Sequence, residues 1–473
     1  MQNKKTTNTK LSKTTGQNDK IGFRKSFLDA INGDDLVYIE PSLLDHVITH
    51  QEQLGKNRIA GHCLVEVSNP SDKIADWKNS HTAIHIISDD MVFIVDSITA
   101  LLSEQSLLIE QIIHPLLFIQ RDAKGKVVEV STERRAGFTG ESHIFIQLNR
   151  RLTDDQMVAL EHDLTAVMED VHFGTKDWLT IKAKVKAAQN GLRNLRGLLA
   201  KDVQEYTDFL DYIHDDNFTL LGYSSYKVTG TGANAKSVLV KNSGLGLLSD
   251  ARDVPLLNEI DRENFIGNHK AKSGLPPVFV TKLSQKSPVH RRVPLDAITI
   301  AQYDARGVLI GEVLVVGLFT SVTYSRSLST LPLLRLKTLR IFEKTGYEEN
   351  SHSNRALRHI LEKYPRDEMF QIDPDHLYDV CLSILNLQER PRIALYTRVD
   401  PFNRNISCLV YIPRDRFDTR LRIKFSLILE EELGATCTNV YSTVDDSPLV
   451  RVSFVLAWKA GAPKKINESK IEE

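Results

Sequence analysis

Hydrophobic and polar positions change period along this chain in an order that builds compact units. Ala83 to Ile87 is a short apolar stretch, and Ser88, Asp89 and Asp90 then supply side-chain oxygens able to cap a helix. In that helix Val92, Val95, Ile98, Leu101 and Leu102 recur at helical spacing, which predicts one face packed on a sheet. Leu107 to Gln120 reads as a long returning strand, with Pro115 at an edge or a bulge because proline cannot donate to a ladder. Turn residues at 121–126 follow, and in Glu141 to Asn149 the side chains of Ile144, Ile146 and Leu148 alternate onto one face. Thr153 heads a second helix, whose first turn holds Asp154 and Asp155 at the positive end of the dipole. Met157, Leu160, Leu164, Val167 and Met168 form its inward stripe. Strand, helix, strand, strand, helix is a ferredoxin-like order with the last strand left open.

Two more units are legible downstream. Residues 1 to about 20 hold almost no apolar side chain, so burial cannot offset their ordering entropy and disorder is expected. Phe23 to Asn32 and Pro41 to Leu54 predict a helical hairpin, and His62 to Val67 a short strand. Between Lys176 and Ile213 apolar spacing predicts long amphipathic helices with a break at Asn190-Gly191. Strands are then expected at Asn217 to Tyr223, Ser237 to Val240, Val278 to Leu283, Ala297 to Tyr303 and Gly311 to Phe319, with a helix from Leu331 to Thr345. Helices at Asn354 to Lys363 and Pro374 to Arg390 are separated by Tyr364-Pro365-Arg366-Asp367, since the residue before proline disfavours helical geometry. The last unit has strands at Arg392 to Arg398, Ser407 to Ile412, Thr438 to Ser442 and Val450 to Ala457. Its helix, Thr419 to Leu433, points Leu421, Phe425, Ile428 and Leu429 inward and stops at Gly434.

At 473 residues the chain exceeds one hydrophobic core and suggests two to four domains. No apolar run reaches the ~18 residues of a membrane span, and the start lacks the apolar core of a secretion signal, so a cytoplasmic protein with no membrane partner is expected. Sixty basic against sixty-one acidic residues give a net charge of -1, so no global field favours nucleic acid. Cys63, Cys381, Cys408 and Cys437 lack metal-type spacing and read as reduced thiols.

Local chemistry is sparse. Gly230-Thr231-Gly232-Ala233-Asn234-Ala235 fits a loose dinucleotide pattern, but a strand-like segment follows it where a pyrophosphate needs a helix start, so a hairpin turn is expected. His81 and His85 lie along a strand, where a spacing of four does not converge two imidazoles on a metal; no metal site is expected. Three polar clusters stand at element ends, around Arg326, around Arg366 and Asp367, and around Arg414 and Asp415. The last two repeat Pro-Arg-Asp, in which proline stiffens the turn, arginine pairs a carboxylate and aspartate caps the next helix. These five residues are expected to make structural turns or interfaces, with a small-anion or amino-acid site as the alternative.

Several ordered strings carry a family likeness: DDMVFIVDSI, IIHPLLFIQRDAKGKV, DNFTLLGY, SGLGLL, GLFTSVTYSRS, YPRDEMFQI followed by SILNLQER, and IPRDRFDTRLR. Over roughly residues 35 to 458 the chain resembles the amino-terminal portion of the large bacterial NAD-dependent glutamate dehydrogenases. The resemblance implies an α+β chain of several ferredoxin-like, ACT-type sheet-plus-helix modules in tandem, joined by helical segments. It also implies that the catalytic and nicotinamide-binding domains lie further along a longer polypeptide. Catalytic and cofactor-binding residues are then expected to be none in this chain, with NAD serving the complete enzyme. The partners implied are the remainder of that polypeptide or like subunits, and an amino-acid effector. A split-gene product, a truncated relic and a separately made subunit all fit, and a free-standing amino-acid sensor or scaffold is the alternative function.

The expected organisation is a disordered 1–20, a helical hairpin at 21–60, ACT-like modules at 61–175, 216–345 and 392–458, helical connectors at 176–215 and 346–391, and a polar tail at 459–473. For an effector the expected contacts are Asp89, Asp96 and Ser97. A helix start there offers free N–H groups and a positive dipole to a carboxylate, and an aspartate pairs the ammonium group. The bland alternative is that Asp89 only caps the helix.

Overall fold

A computed structural model describes residues 18–31, 41–70, 81–193, 195–230, 236–257, 276–444, 447–458 and 466–472. The expected disorder at 1–17 and the turn at 231–235 lie outside the described residues. Residues 18–20 belong to a helix. The chain forms two compact units, one of 1–175 with 288–292 and one of 176–287 with 293–473. The architecture is α+β, as the sequence pattern indicates.

The first unit holds α1 (Asn18–Ala30), α2 (Pro41–Leu54), β1 (Leu64–Ser68), β2 (Ala83–Asp89), α3 (Ile94–Glu104), β3 (Ile109–Ile113), β4 (Leu116–Arg121), β5 (Val127–Ser131), β6 (Thr139–Leu148) and α4 (Asp154–Lys176). The sheet order is β1-β2-β6-β4-β5, with β3 also on β6. This is the ferredoxin-like order with its fourth strand supplied from the front. The edge beside β2 is taken by β1, antiparallel from Leu64↔Ile87 to Ser68↔Ala83, while α4 continues onward without returning to the sheet.

The expected strand over 107–120 is interrupted at His114-Pro115. Ile113 pairs Phe145 and Leu116 pairs Ser142, so the register is kept across the gap, and the Pro115 carbonyl still accepts the His143 N–H at 3.0 Å. Proline removes one donor without shifting the ladder. Strand β5, which the pattern reading missed, alternates weakly because most of its side chains are not buried. On one sheet face Ala83, Ile113, Leu117, Ile119 and Phe145 pack with Phe23 and Phe27 of α1 and Val47 and Ile48 of α2. Ile84, Ile86, Ile144, Ile146 and Leu148 alternate onto the other face and are buried, as are Ile98, Leu101 and Leu102 of α3 and Leu160, Leu164, Val167 and Met168 of α4.

Helix α3 departs from its expected start. Its N-cap is Phe93, at φ 70°, with no side-chain cap, while Asp89 ends β2 and Val92 is exposed. The backbone turns into the helix through a left-handed residue, so no carboxylate reaches the capping position.

The second unit begins with α5 (Trp178–Leu192) and α6 (Ala200–Tyr212). The helix break falls after Leu192, and Asn190-Gly191 lies inside the last turn of α5. A second sheet follows: β7 (Phe218–Thr229), β8 (Lys236–Leu239), β9 (Leu245–Gly246), β10 (Val278–Lys286), β11 (Pro294–Tyr303) and β12 (Leu309–Phe319), in the order β10-β11-β12-β7-β8. Its strands are neighbouring antiparallel pairs, with β12 returning to β7, so this sheet does not repeat the order of the first. Short α7 (Ser321–Ser325) leads to α8 (Leu334–Thr345), α9 (His352–Lys363), α10 (Arg366–Gln371) and α11 (Pro374–Glu389). Asp373 caps α11, accepting the N–H of Asp375 at 2.9 Å, with Pro374 at the first helical position.

A third sheet closes the unit: β13 (Ala394–Val399), β14 (Asn405–Pro413), α12 (Thr419–Leu433), β15 (Thr436–Thr443), β16 (Leu449–Ala457) and α13 (Glu468–Glu472), with strand order β13-β14-β16-β15. This repeats the topology of the first sheet, the leading strand again holding the fourth ferredoxin position. In β14, Ile406, Cys408, Val410 and Ile412 face Leu429 and Leu433 of α12. The intervening Leu409 and Tyr411 join a core that continues through α11 and α9 to Val280, Ile298 and Val315 of the second sheet. Ranges read as separate modules and connectors therefore share one core. Asp418 caps α12 and Gly434 ends it at φ 59°. Ile428, expected inward, is exposed. The polar tail expected at 459–473 holds α13, where the Glu472 carboxylate accepts the Leu395 N–H at 2.7 Å and Glu468 takes the Thr397 N–H at 2.8 Å.

Candidate functional site

In the first unit the sequence-predicted residues separate into two places. Asp89, at the end of β2, accepts from Arg58 Nη2 at 2.6 Å and from the Gly61 N–H at 2.8 Å. Arg58 is also 3.0 Å from Glu141, which Arg121 grips with two hydrogen bonds of 2.6 and 2.8 Å. Burial alone would raise the Glu141 pKa, but the two guanidinium groups hold it below the usual carboxylate range. Asp96 and Ser97 meet a different partner within this unit, His290. The Asp96 carboxylate lies 2.7 Å from His290 Nδ1, and Ser97 Oγ accepts the His290 N–H at 2.9 Å while donating to the Phe93 carbonyl at 2.6 Å. The structure thus gives Asp89 to an arginine and Asp96 with Ser97 to a histidine.

Beside Glu141 runs a buried polar chain. The Gln51 amide donates to His85 Nδ1 and to the Ile144 carbonyl, and its oxygen accepts from His143 Nδ1, the two ring contacts being 3.2 Å. Each imidazole therefore holds a defined neutral tautomer. Burial pushes the pKa of His143 down to about 3 and that of His85 well below its ordinary range. His81 points elsewhere, its Nε2 2.5 Å from Glu110. Cys381 and Cys408 are buried free thiols, and Cys63 and Cys437 are half-buried.

The second unit concentrates charge around α10, the Pro-Arg-Asp-Glu stretch. Arg366 Nη2 donates to Glu362 at 2.8 Å and to the Arg326 carbonyl at 3.2 Å, fixing the turn that holds Arg326 against the Tyr212 ring. Asp367 accepts from the Tyr324 hydroxyl at 2.9 Å and lies 3.3 Å from Lys282 Nζ. Lys282 and Asp296 are a cross-strand pair on β10 and β11, 2.8 Å apart. Burial and the Asp367 carboxylate raise Asp296 to about 6, against the pull of the Lys282 ammonium, which the two aspartates keep charged despite its burial. Glu368 binds Arg398 through two bonds, 2.6 and 3.0 Å. Arg404 makes bonds of 2.9 and 3.0 Å to Asp400 and one of 2.9 Å to the Lys282 carbonyl, so the turn between β13 and β14 is tied to β10. Lys337 closes the far end of α10, donating to the Met369 and Ile372 carbonyls at 2.6 and 2.7 Å, and burial lowers its pKa to about 7.

The two Pro-Arg-Asp repeats differ in setting. Arg366 is buried, whereas Arg414 and Asp415 occupy an exposed turn of 3-10 helix. Neither aspartate caps the following helix: Asp367 lies inside α10, and Asp418 serves α12. Sequence reading missed Arg58, Arg121, Glu141, Lys282, Asp296, Arg398, Asp400 and Arg404. A signal was present at Lys282 and Asp296, single charges inside the apolar runs VFVTKL and PLDAITI, where an unpaired charge is too costly to bury.

Three family models match the chain: the glutamate dehydrogenase ACT1 domain over residues 23–164, its helical motif 1 over 331–390 and its ACT2 domain over 394–473. The chain is similar to proteins described as NAD-specific glutamate dehydrogenase. That of Halomonas elongata is 32% identical over 416 residues, covering 86% of this chain and 26% of the relative. That of Pseudomonas aeruginosa is 29% identical, covering 86% and 25%, and that of Mycobacterium tuberculosis 24% identical, covering 85% and 24%. The chain spans about a quarter of the length of these relatives. Among the described residues no helix is long and apolar enough to cross a membrane.

Proposed function

Since this chain belongs to the glutamate dehydrogenase family through its ACT1, helical-motif and ACT2 domains, we propose that it is the non-catalytic regulatory and assembly portion of an NAD-dependent glutamate dehydrogenase. The complete enzyme would take L-glutamate, NAD and water to 2-oxoglutarate, ammonium, NADH and a proton by hydride transfer, with NAD held by another portion of the polypeptide. One observation carries the reading. The same strand order, with its leading strand in the fourth ferredoxin position, occurs in both regions matched by ACT domains. Their buried charges are spent on one another, as in Arg58 with Glu141 and Arg404 with Asp400, which suits modules that transmit or assemble. The partners are then the remainder of the dehydrogenase polypeptide or like subunits.

The test is glutamate-dependent NADH formation by the purified chain, alone and mixed with the remaining three quarters of a relative. The chain alone is expected to give no rate above a blank, and to associate with the remainder and change its rate. Turnover by the isolated chain, or a remainder indifferent to it, defeats the proposal.

A further inference from the structure

Helix α12 buries Leu429 and Leu433 in the core of the third sheet and turns a second apolar row outward. Ile423, Leu427 and Ile428 are 52%, 59% and 44% exposed, on neighbouring turns of this one helix. A single exposed leucine is ordinary, whereas three grouped on one helix face offer apolar area for a partner to cover. Arg420, Ile423, Leu427 and Glu431 are spaced three or four apart and so share that face, which carries Arg420 and Lys424 toward its amino-terminal end and Glu431 at the other; all are exposed.

These charges run against the helix's own dipole. The first turn of α12 holds no acidic residue and the last turn no basic one. Arg420 and Arg422 stand instead at the positive end, and Glu430, Glu431 and Glu432 at the negative end. Within a single helix that order is unfavourable. Glu430 and Glu432 are engaged close by, the first accepting the Cys437 N–H at 2.7 Å and the second lying 2.9 Å from Lys470 Nζ. Arg420 and Glu431 belong to the outward face.

An antiparallel twin removes the conflict. Crossing between Phe425 and Ser426, a second α12 brings its Glu431 opposite Arg420 and its Ile428 opposite Ile423, and the two-fold axis repeats both contacts. Each charged pair then stands about 8 Å along the helix from the crossing, within reach of long side chains at a shallow crossing angle of about 20°. The acidic end of each helix also lies beside the positive end of the other. A parallel twin would set like charges together. We propose that α12 is a contact surface for a second copy of this chain, packed antiparallel through Ile423, Leu427 and Ile428, with Arg420 facing Glu431 of the other copy. Taking a like chain as the partner rests on the assembly role proposed above, while the association itself is read on this chain alone.

Sedimentation equilibrium of the whole chain across a concentration series tests this, and a concentration-dependent dimer is expected. Arg420→Glu and Glu431→Arg are each expected to weaken self-association by about tenfold or more, because each creates two like-charge contacts. Both positions are exposed and both changes suit the dipole of their own helix, so the loss is expected without loss of helix content by circular dichroism. Mixed in equal amounts, the two variants are expected to recover the unaltered chain's affinity, since each supplies the opposite charge that the other lacks at both contacts. A chain that is monomeric at every concentration, a dimer indifferent to both reversals, or reversals that mixing does not rescue overturns the assignment. A monomeric chain whose binding to the remainder of a relative falls with Arg420→Glu gives this face to that remainder and overturns it equally. A dimer that behaves as expected, beside a remainder whose NADH formation is indifferent to the chain, keeps the α12 contact and defeats the dehydrogenase reading; a changed rate with a monomeric chain does the reverse.

Discussion

Arg404 reaches back four residues to Asp400 with bonds of 2.9 and 3.0 Å, and both side chains are almost wholly buried, at 3% and 1% exposure. The pair fixes the turn from β13 to β14 and, through the Lys282 carbonyl and Thr281, joins it to β10. Removing either partner breaks a buried, hydrogen-bonded charge pair. Arg404→Ala or Asp400→Ala should therefore cost about 3 to 5 kcal/mol in denaturant unfolding, and the double replacement less than the sum of the two. Additive losses would show that the residues act independently.

Arg366→Ala should cost about 1 to 3 kcal/mol, because it removes the bonds to Glu362 and to the Arg326 carbonyl from a buried setting. Arg414→Ala, on an exposed turn, should stay within about 0.5 kcal/mol. Side-by-side urea melts decide this, and equal losses would contradict it.

His143 gives the first unit a pH dependence of definite sign. Its folded pKa is about 3 against an ordinary 6.5, because burial disfavours the imidazolium, so below 6.5 the unfolded chain binds the extra proton. The stability it contributes is complete above pH 6.5 and is lost as pH falls toward 3, at up to about 1.4 kcal/mol per pH unit. His143→Gln should flatten that slope in unfolding measured between pH 6.5 and 4. An unchanged slope would assign the dependence to other groups.

Asp89 and Asp96 should respond differently to alanine. Asp89 neutralises Arg58, whose side chain is 1% exposed, and its loss should lower stability by about 1 to 3 kcal/mol. Asp96 is half exposed opposite His290, so its loss should cost no more than about 1 kcal/mol. Thermal melts of the two variants check the order; Asp96→Ala as the more damaging change would reverse this reading.

Gly246→Ala should destabilise the second unit by about 2 kcal/mol or more, since the new Cβ meets the Leu221 carbonyl in a left-handed conformation. Gly346→Ala, at φ +63° with open space around it, isolates the conformational part and should cost about 1 kcal/mol. Equal losses at the two sites would remove the steric argument.

The sequence by itself determined the elements whose signals are local. The apolar stripe of α4, the alternation in β6 and the stop at Gly434 follow from period and cap chemistry between near neighbours. It also located Arg366, Asp367, Asp89 and Asp96 as residues with partners to find. Which partners they have was decided by the tertiary structure. Asp89 meets Arg58 from 31 positions away, Asp367 meets Lys282 of β10, and Asp96 meets His290 across 194 positions. Ion pairing acts through space, and no periodicity in the chain encodes which strand end will stand beside which loop. The same holds for β1 in the fourth ferredoxin position and for the core shared by the second and third sheets. Both were settled by which apolar faces could be buried together once α4 had left the first sheet without returning.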